Sequence, residues 1–417
     1  MGESQLVYRV GITGDTPIAW QPDRCPNPHL CISGATGTGK TYTIRQIIEA
    51  FSASGISFTV IDIHGDLGVI DSIVREYRLG YGSPSGVNPL AVNADARYAG
   101  PKSNASNFIE LLNELSGTHR MGPVQANMLF NVIMDLYGAN KIKQDDPSSW
   151  AKQTYPDLKD LERFIGYKYK KLMIGGNNGA ADAELYGLQT LYKKKKALEK
   201  LEKNQSADTE ARIAETIASL VRLYEDYLKK GILNDPDFIT YSDPRGLISL
   251  KNRIQNLNNT DVFVKNETPL GNVRLNMKYL EDEQRKLAAY YTVKRLLDRF
   301  TRAGERDRIR HYIVIDECSF FLDVPRIEHM IVRAVQEGRK FGLGLILAAQ
   351  NPLKFNNDIL LNTATKMVFA VEPVVHRAVA KTFGIDESRL KKVEPRRDCM
   401  FSTRPLNRGE FYLVRRS

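Results

Sequence analysis

Residues 34–41 read Gly34-Ala35-Thr36-Gly37-Thr38-Gly39-Lys40-Thr41, directly after the apolar run His29-Leu-Cys-Ile-Ser33. The eight residues match the phosphate-binding pattern G-x-x-x-x-G-K-[ST], and their context makes the match informative. A strand has to deliver the chain to a tight turn and a helix has to leave it. Backbone N–H groups and a helix N-terminus then converge on phosphate oxygens. Leu30, Cys31 and Ile32 supply the strand, while Tyr42, Ile44, Ile47, Ile48 and Phe51 follow at helical spacing. Gly34, Gly37 and Gly39 let the backbone curl close to a polyphosphate. Lys40 is expected to reach the β- and γ-phosphates and the Thr41 hydroxyl to ligate Mg²⁺, with Ala35, Thr36, Thr38 and Tyr42 completing the contact surface. The expectation is a site for a nucleoside triphosphate, ATP with Mg²⁺.

Far downstream, His311-Tyr-Ile-Val-Ile-Asp-Glu317 is an apolar strand that ends in two adjacent carboxylates. Asp316 is expected to hold the Mg²⁺ shell and Glu317 to polarise an attacking water, because a strand turns consecutive side chains to opposite faces. A carboxylate base implies hydrolysis. A simple nucleotide switch does not need one there. Gln350 ends a further buried strand, where an amide can sense the γ-phosphate or orient water. Asp62 and Asp66 flank His64 and Gly65 at the C-terminal edge of a strand, the edge at which open α/β sheets bind ligands. They are candidate accessory residues for the Mg²⁺ site.

The 417-residue chain is long enough for a large core or two domains, and its 42% hydrophobic content is that of a globular protein. No apolar run approaches the ~20 residues of a membrane span, and the N-terminus lacks a signal-peptide core, so a cytoplasmic location and no membrane partner are expected. Cys25, Cys31, Cys318 and Cys399 show no paired metal spacing, in keeping with free thiols in a reducing compartment. The formal net charge of +10 suggests a polyanionic partner, with nucleic acid as the first expectation. Candidate contacts are Lys193 to Lys196, then Lys168, Lys170 and Lys171 among tyrosines. A C-terminal group holds Lys391, Lys392, Arg396, Arg397, Arg404, Arg408, Arg415 and Arg416.

Alternating strand and helix patterns predict an α/β fold with a mostly parallel sheet covered by helices. Residues 1–28 read as an N-terminal β-hairpin and entry segment, and 29–138 as the first part of the core. Residues 139–270 are polar and Lys- and Asn-rich, with amphipathic stretches through Leu185, Leu188 and Tyr192 and through Ile213, Ile217, Leu220, Tyr224 and Leu228. They are expected to form an α-helical insertion. Residues 271–417 complete the core and end in a hairpin pairing Cys399–Ser402 with Phe411–Val414.

Four blocks in order resemble the motor domain of the HerA/FtsK superfamily. They are the entry Val10-Gly-Ile-Thr-Gly-Asp-Thr-Pro-Ile18 with the phosphate loop, then Asp62-Ile-His-Gly-Asp66, then Asp316-Glu-Cys-Ser-Phe-Phe-Leu322. The fourth is Glu337-Gly-Arg-Lys-Phe-Gly-Leu-Gly-Leu345 leading to Ala349-Gln-Asn351. The resemblance implies a RecA-like ATPase that assembles as a hexameric ring and translocates duplex DNA, with a nuclease or other effector as partner, in DNA processing or defence against foreign DNA. It also implies a β-barrel before the motor, whereas only about 28 residues precede it here. That departure leaves open viral packaging, conjugation and secretion ATPases of the same superfamily, or an ATP-dependent scaffold that regulates an effector. Arg339, between a helix and a strand, is expected at a subunit edge, where an arginine completes a neighbour's site. Arg377 is a second candidate.

Overall fold

The computed structural model describes residues 6–68, 73–95, 97, 100–152, 154–174, 192, 196, 206–229, 237, 240–241, 244–404 and 410–416. The expected contacts Lys193 to Lys195 and Arg408, and Leu185 and Leu188 of the first amphipathic stretch, lie outside these residues. Two compact units emerge: Met1–Arg120 with Trp150–Asp157 and Leu257–Ser417, and Met121–Ser149 with Leu158–Asn256.

The first unit is built on an eleven-stranded sheet. In chain order the strands are β1 (Tyr8–Thr13), β2 (Thr16–Trp20), β3 (Leu30–Ser33), β4 (Ser57–Asp62), β5 (Arg75–Arg78) and β6 (Val273–Asn276). Then follow β7 (His311–Ile315), β8 (Leu343–Ala349), β9 (Thr365–Val368), β10 (Asp398–Thr403) and β11 (Tyr412–Arg415). Their spatial order is β2-β1-β11-β10-β9-β3-β8-β7-β4-β6-β5. From β9 to β5 every pairing is parallel, and from β9 to β2 every pairing is antiparallel. The mostly parallel α/β sheet with an added helical unit is therefore as expected. β3, β7 and β8 are buried at every position, which is what strands covered on both faces require.

Helix α1 (Lys40–Ala53) covers one face of this sheet because Ile44, Ile47, Ile48 and Phe51 recur at helical spacing and are all buried. Phe51 stacks on Tyr312 of β7 with ring centroids 4.3 Å apart, and Trp20 of β2 meets Tyr312 edge-on at 6.0 Å. Each such aromatic contact adds about 0.5–1.5 kcal/mol beyond its area burial. Tyr312 also lies flat across Gly344 of β8, where any Cβ would strike the ring. A larger residue at 344 would displace the ring and with it its stack on Phe51.

The second unit consists of helices, among them Pro123–Ala139, Leu158–Ile174, Ser206–Lys229 and Pro244–Leu257. Its centre is a charged clasp. Lys168 Nζ donates to Asp135 and Asp237 carboxylates, both at 2.7 Å, and lies over the rings of Phe164 and Tyr241. Lys171 Nζ donates to the other Asp237 oxygen at 2.8 Å. The expectation that Lys168 and Lys171 present charge to a polyanion is corrected: both ammonium groups are spent on carboxylates within the unit.

Candidate nucleotide site

The phosphate loop leaves β3 and ends at Gly39, which caps α1 in the left-handed region at φ 113°. Glycine is required there, because φ in this range strains any L side chain and a Cβ would run into the Arg416 guanidinium. Lys40, the first residue of α1, is buried, and its Nζ donates to the loop's own carbonyls, Gly34 O at 2.7 Å and Ala35 O at 2.9 Å. Burial lowers the Lys40 pKa, and Glu317, Asp316 and Asp66 act against that fall. Thr41 is half-buried and Tyr42 exposed.

Strand order brings the acidic end to this loop. β8 lies between β3 and β7, so Gln350, just past β8, stands between the phosphate loop and Asp316 and Glu317 just past β7. Thr36 Oγ1 donates to Gln350 Oε1 at 3.0 Å, and the Gln350 N–H donates to the Glu317 carboxylate at 3.2–3.3 Å. The Ser319 hydroxyl donates to the same carboxylate. The orientation of Glu317 does not arise by strand alternation, as the sequence argument had it. β7 stops at Ile315, and Glu317 takes a left-handed conformation, φ 56° and ψ 53°. A non-glycine residue held this way costs of order 1 kcal/mol or more, and such strain clusters at functional positions.

Asp62, Asp66 and Asp316 each offer a carboxylate oxygen within 4.8 Å of the others. Asp62, buried at the end of β4, accepts the N–H groups of Gly65 (2.8 Å) and Leu67 (3.3 Å) and pairs with Arg274 Nε at 3.2 Å. Its carboxyl nevertheless sits above its usual pKa, burial outweighing those contacts. Asp316 is pushed up to about 7, first by burial and then by Asp62, Asp66 and Glu317, with Lys40 offsetting only part of the effect. The cluster carries more negative charge than its surroundings neutralise. Together with the Thr41 hydroxyl, that donor set fits an oxygen-seeking dication such as Mg²⁺.

Arg339 is not brought to this site. It is exposed, follows helix Pro325–Glu337 and donates to the carbonyl of Pro26, upstream of β3. That places it at the opposite end of the seven-residue β8, about 20 Å of strand from Gln350. Arg377 is exposed on helix His376–Phe383. Sequence reasoning missed Arg274 and Glu76. Arg274 lies buried in β6 and ties Asp62 to Glu76 of β5, the latter at 3.1 Å. An arginine within the short apolar segment Val273-Arg-Leu275 was the available signal. The C-terminal cations are largely engaged too: Lys391 pairs with Glu387 at 2.7 Å, Arg397 with Glu394 at 2.7 Å and Arg415 with Asp398 at 3.8 Å.

The profile of the family described as "Helicase HerA-like C-terminal" matches residues 12–75, the stretch that runs from the end of β1 through β2, β3, the phosphate loop and β4. No curated protein matches the chain by sequence. Among solved structures, VirB4 of Thermoanaerobacter pseudethanolicus superposes with a TM-score of 0.67 at 12% identity, over 98% of this chain and 96% of that one. The plasmid coupling protein TrwB in complex with ADP and Mg²⁺ gives 0.55 at 11% identity, over 100% and 96%. The bacterial conjugative coupling protein TrwBdeltaN70, unbound, gives 0.52 at 12%, over 98% and 88%. The exclusion of a membrane partner falls with these matches. The matched structures are VirB4 and a bacterial conjugative coupling protein, and a chain of their fold gives no ground for setting a membrane aside. Among the described residues, no helix is long and apolar enough to cross a membrane. The chain has the P-loop NTPase fold that VirB4 and TrwB share.

Proposed function

We propose that this protein is an ATP-hydrolysing motor that works as a ring and drives DNA in a conjugation- or secretion-type system. The observation that carries the hydrolytic part is the hydrogen-bonded series Thr36–Gln350–Glu317. It links the phosphate loop to the Glu317 carboxylate through Gln350, which supports a base and a γ-phosphate sensor at these two positions. Thr41 and Asp316, with Asp62 and Asp66 beside them, would hold Mg²⁺, which neutralises phosphate charge when bound. Lys40 exchanges its carbonyl partners for phosphate oxygens. Glu317 orients a water and accepts its proton, while Gln350 reports whether the γ-phosphate is present. The net charge of +10 and the fold likeness to TrwB, a conjugative and plasmid coupling protein, support DNA as the cargo.

The test is ATP hydrolysis with Mg²⁺, with and without linear duplex DNA, for the wild type and Glu317→Gln. The variant should still bind ATP while turnover falls about 10²-fold. DNA should accelerate the wild type and not the variant. Loss of ATP binding in Glu317→Gln would make Glu317 structural, and indifference to DNA at low salt would turn the search for cargo to protein.

A further inference from the structure

The sheet order also fixes which way a nucleotide must lie. Asp316, Glu317 and Gln350 stand at the ends of β7 and β8, on one side of β3. A triphosphate laid on the phosphate loop with its γ end at Glu317 therefore presents its nucleoside end on the other side, toward β9. Phe369 lies there, just past β9, and Ala35 N–H donates to Ala370 O at 2.8 Å. Two arginines from the C-terminal strands reach the same place. Arg396, in the left-handed region at φ 64°, donates from Nε to Gly37 O at 3.0 Å and from its N–H to Thr38 O at 2.9 Å. Arg416, just past β11, extends Nη1 to within 3.5 Å of Gly39 O. Its guanidinium carbon lies 5.0 Å from the Tyr42 ring centroid and 5.3 Å from that of Phe369.

Resting on the phosphate-loop reading above, we propose that Arg416 and Tyr42 hold the nucleoside end of a purine nucleotide, so that β11 completes the site on the side away from Glu317. The chemistry at this spot suits a base. Tyr42 is 54% exposed and offers an open ring face, and a guanidinium is a flat cation that stacks on a π-system while donating in its own plane. The Tyr8 hydroxyl faces the Arg416 guanidinium from the sheet side and helps hold it in place beside Tyr42. Phe369 backs the guanidinium, and the Arg396 contacts hold the loop carbonyls, so the platform is in place before a ligand arrives. The phosphates alone make no use of this surface. A nucleotide and a bare polyphosphate should therefore tell it apart from the phosphate loop.

The experiment is isothermal titration of the full chain, in Mg²⁺, with a non-hydrolysable ATP analogue and with inorganic tripolyphosphate. Arg416→Ala should weaken the ATP analogue about 10-fold, the scale of one lost stacking contact, and leave tripolyphosphate within about twofold. Arg416→Lys should fail to restore analogue binding, since it returns the charge without the plane. Tyr42→Ala should shift the same ratio in the same direction, and it carries the test if melting curves show Arg416→Ala to be misfolded. Equal losses for both ligands, no loss for the analogue, or full rescue by lysine would overturn the proposal. Lys40→Ala separates the two readings because it should weaken both ligands. If it weakens neither, the phosphate-loop reading has failed, whatever Arg416 does.

Discussion

Lys40 in the sheet unit and Lys168 in the helical unit are both buried, 8% and 7% exposed, yet they handle their charge in opposite ways. Lys168 is closed off by two carboxylates and two aromatic rings. Lys40 has only the neutral carbonyls of its own loop, although Asp316 and Glu317 act on it from nearby. Burying a cation without a counter-ion is costly, and a fold tolerates it where a ligand supplies the missing charge. Burial of a lysine does not reveal which kind it is. The identity of its hydrogen-bond acceptors does.

The largest effect should come from Lys40→Ala, which is expected to reduce ATP turnover by about 10³-fold or more while leaving the melting temperature almost unchanged. A large loss of stability with modest loss of turnover would erase the contrast with Lys168. Arg339 extends the comparison, because its structural partner is also a neutral carbonyl, that of Pro26. We propose that it acts on a neighbouring subunit, in which case it should contribute about 10³-fold to turnover with little effect on ATP affinity. Mixing Arg339→Ala with Lys40→Ala protein tests this. Activity should partly return in mixed assemblies that join an intact loop to an intact arginine, and no recovery in verified mixtures would count against action in trans.

Lys168→Ala is the mirror-image case. It should leave turnover nearly intact and destabilise the helical unit by about 2–3 kcal/mol, at the low end for buried pairs because Asp135 is 42% exposed. Hydrogen exchange resolved by unit would read it. The subtlest contrast is a difference in acid sensitivity between the two units. His29 and His311 are buried in the sheet unit, and burial lowers both to about 3. The unfolded chain protonates them below about 6.5 while the folded chain does not. Stability should therefore fall as the pH drops from there toward 3. For Asp237, burial would raise the pKa, but the hydrogen bonds and charges of Lys168 and Lys171 outweigh it and hold it below its ordinary value. The clasp should thus persist to lower pH, and exchange should quicken first in the sheet unit.

What could be seen in the sequence was whatever depends on short spacing. The strand, loop and helix around Lys40 occupy one continuous stretch, and β7 and β8 announce themselves as unbroken apolar runs. The edge strand β5 was missed because Arg75-Glu-Tyr-Arg78 has no apolar alternation; the ion pair of Arg274 with Glu76 helps anchor it. The Lys168 clasp was missed for a different reason. Asp237 lies 69 residues along the chain from Lys168, and a lysine-rich helix reads as a solvated face until its partner is known. Arg416 was read as part of a basic tail. Nothing local reveals that the turn at Arg396 and the strand before Arg416 fold back onto residues 37–39.

The seat of β11 between β10 and β1 has a kinetic consequence. Ile12 pairs with Arg415 across about 400 residues, a loop whose closure in the unfolded chain would cost about 5 kcal/mol in chain entropy, so the pairing waits for the intervening strands. Until that closure the β1–β2 hairpin is a marginal two-stranded ribbon with an open edge. The same closure brings Arg416 to the carbonyl of Gly39. Zipping the sheet shut and bringing Arg416 to Tyr42 are therefore a single event, and a chain caught before it would expose a sticky edge and an incomplete nucleoside side together.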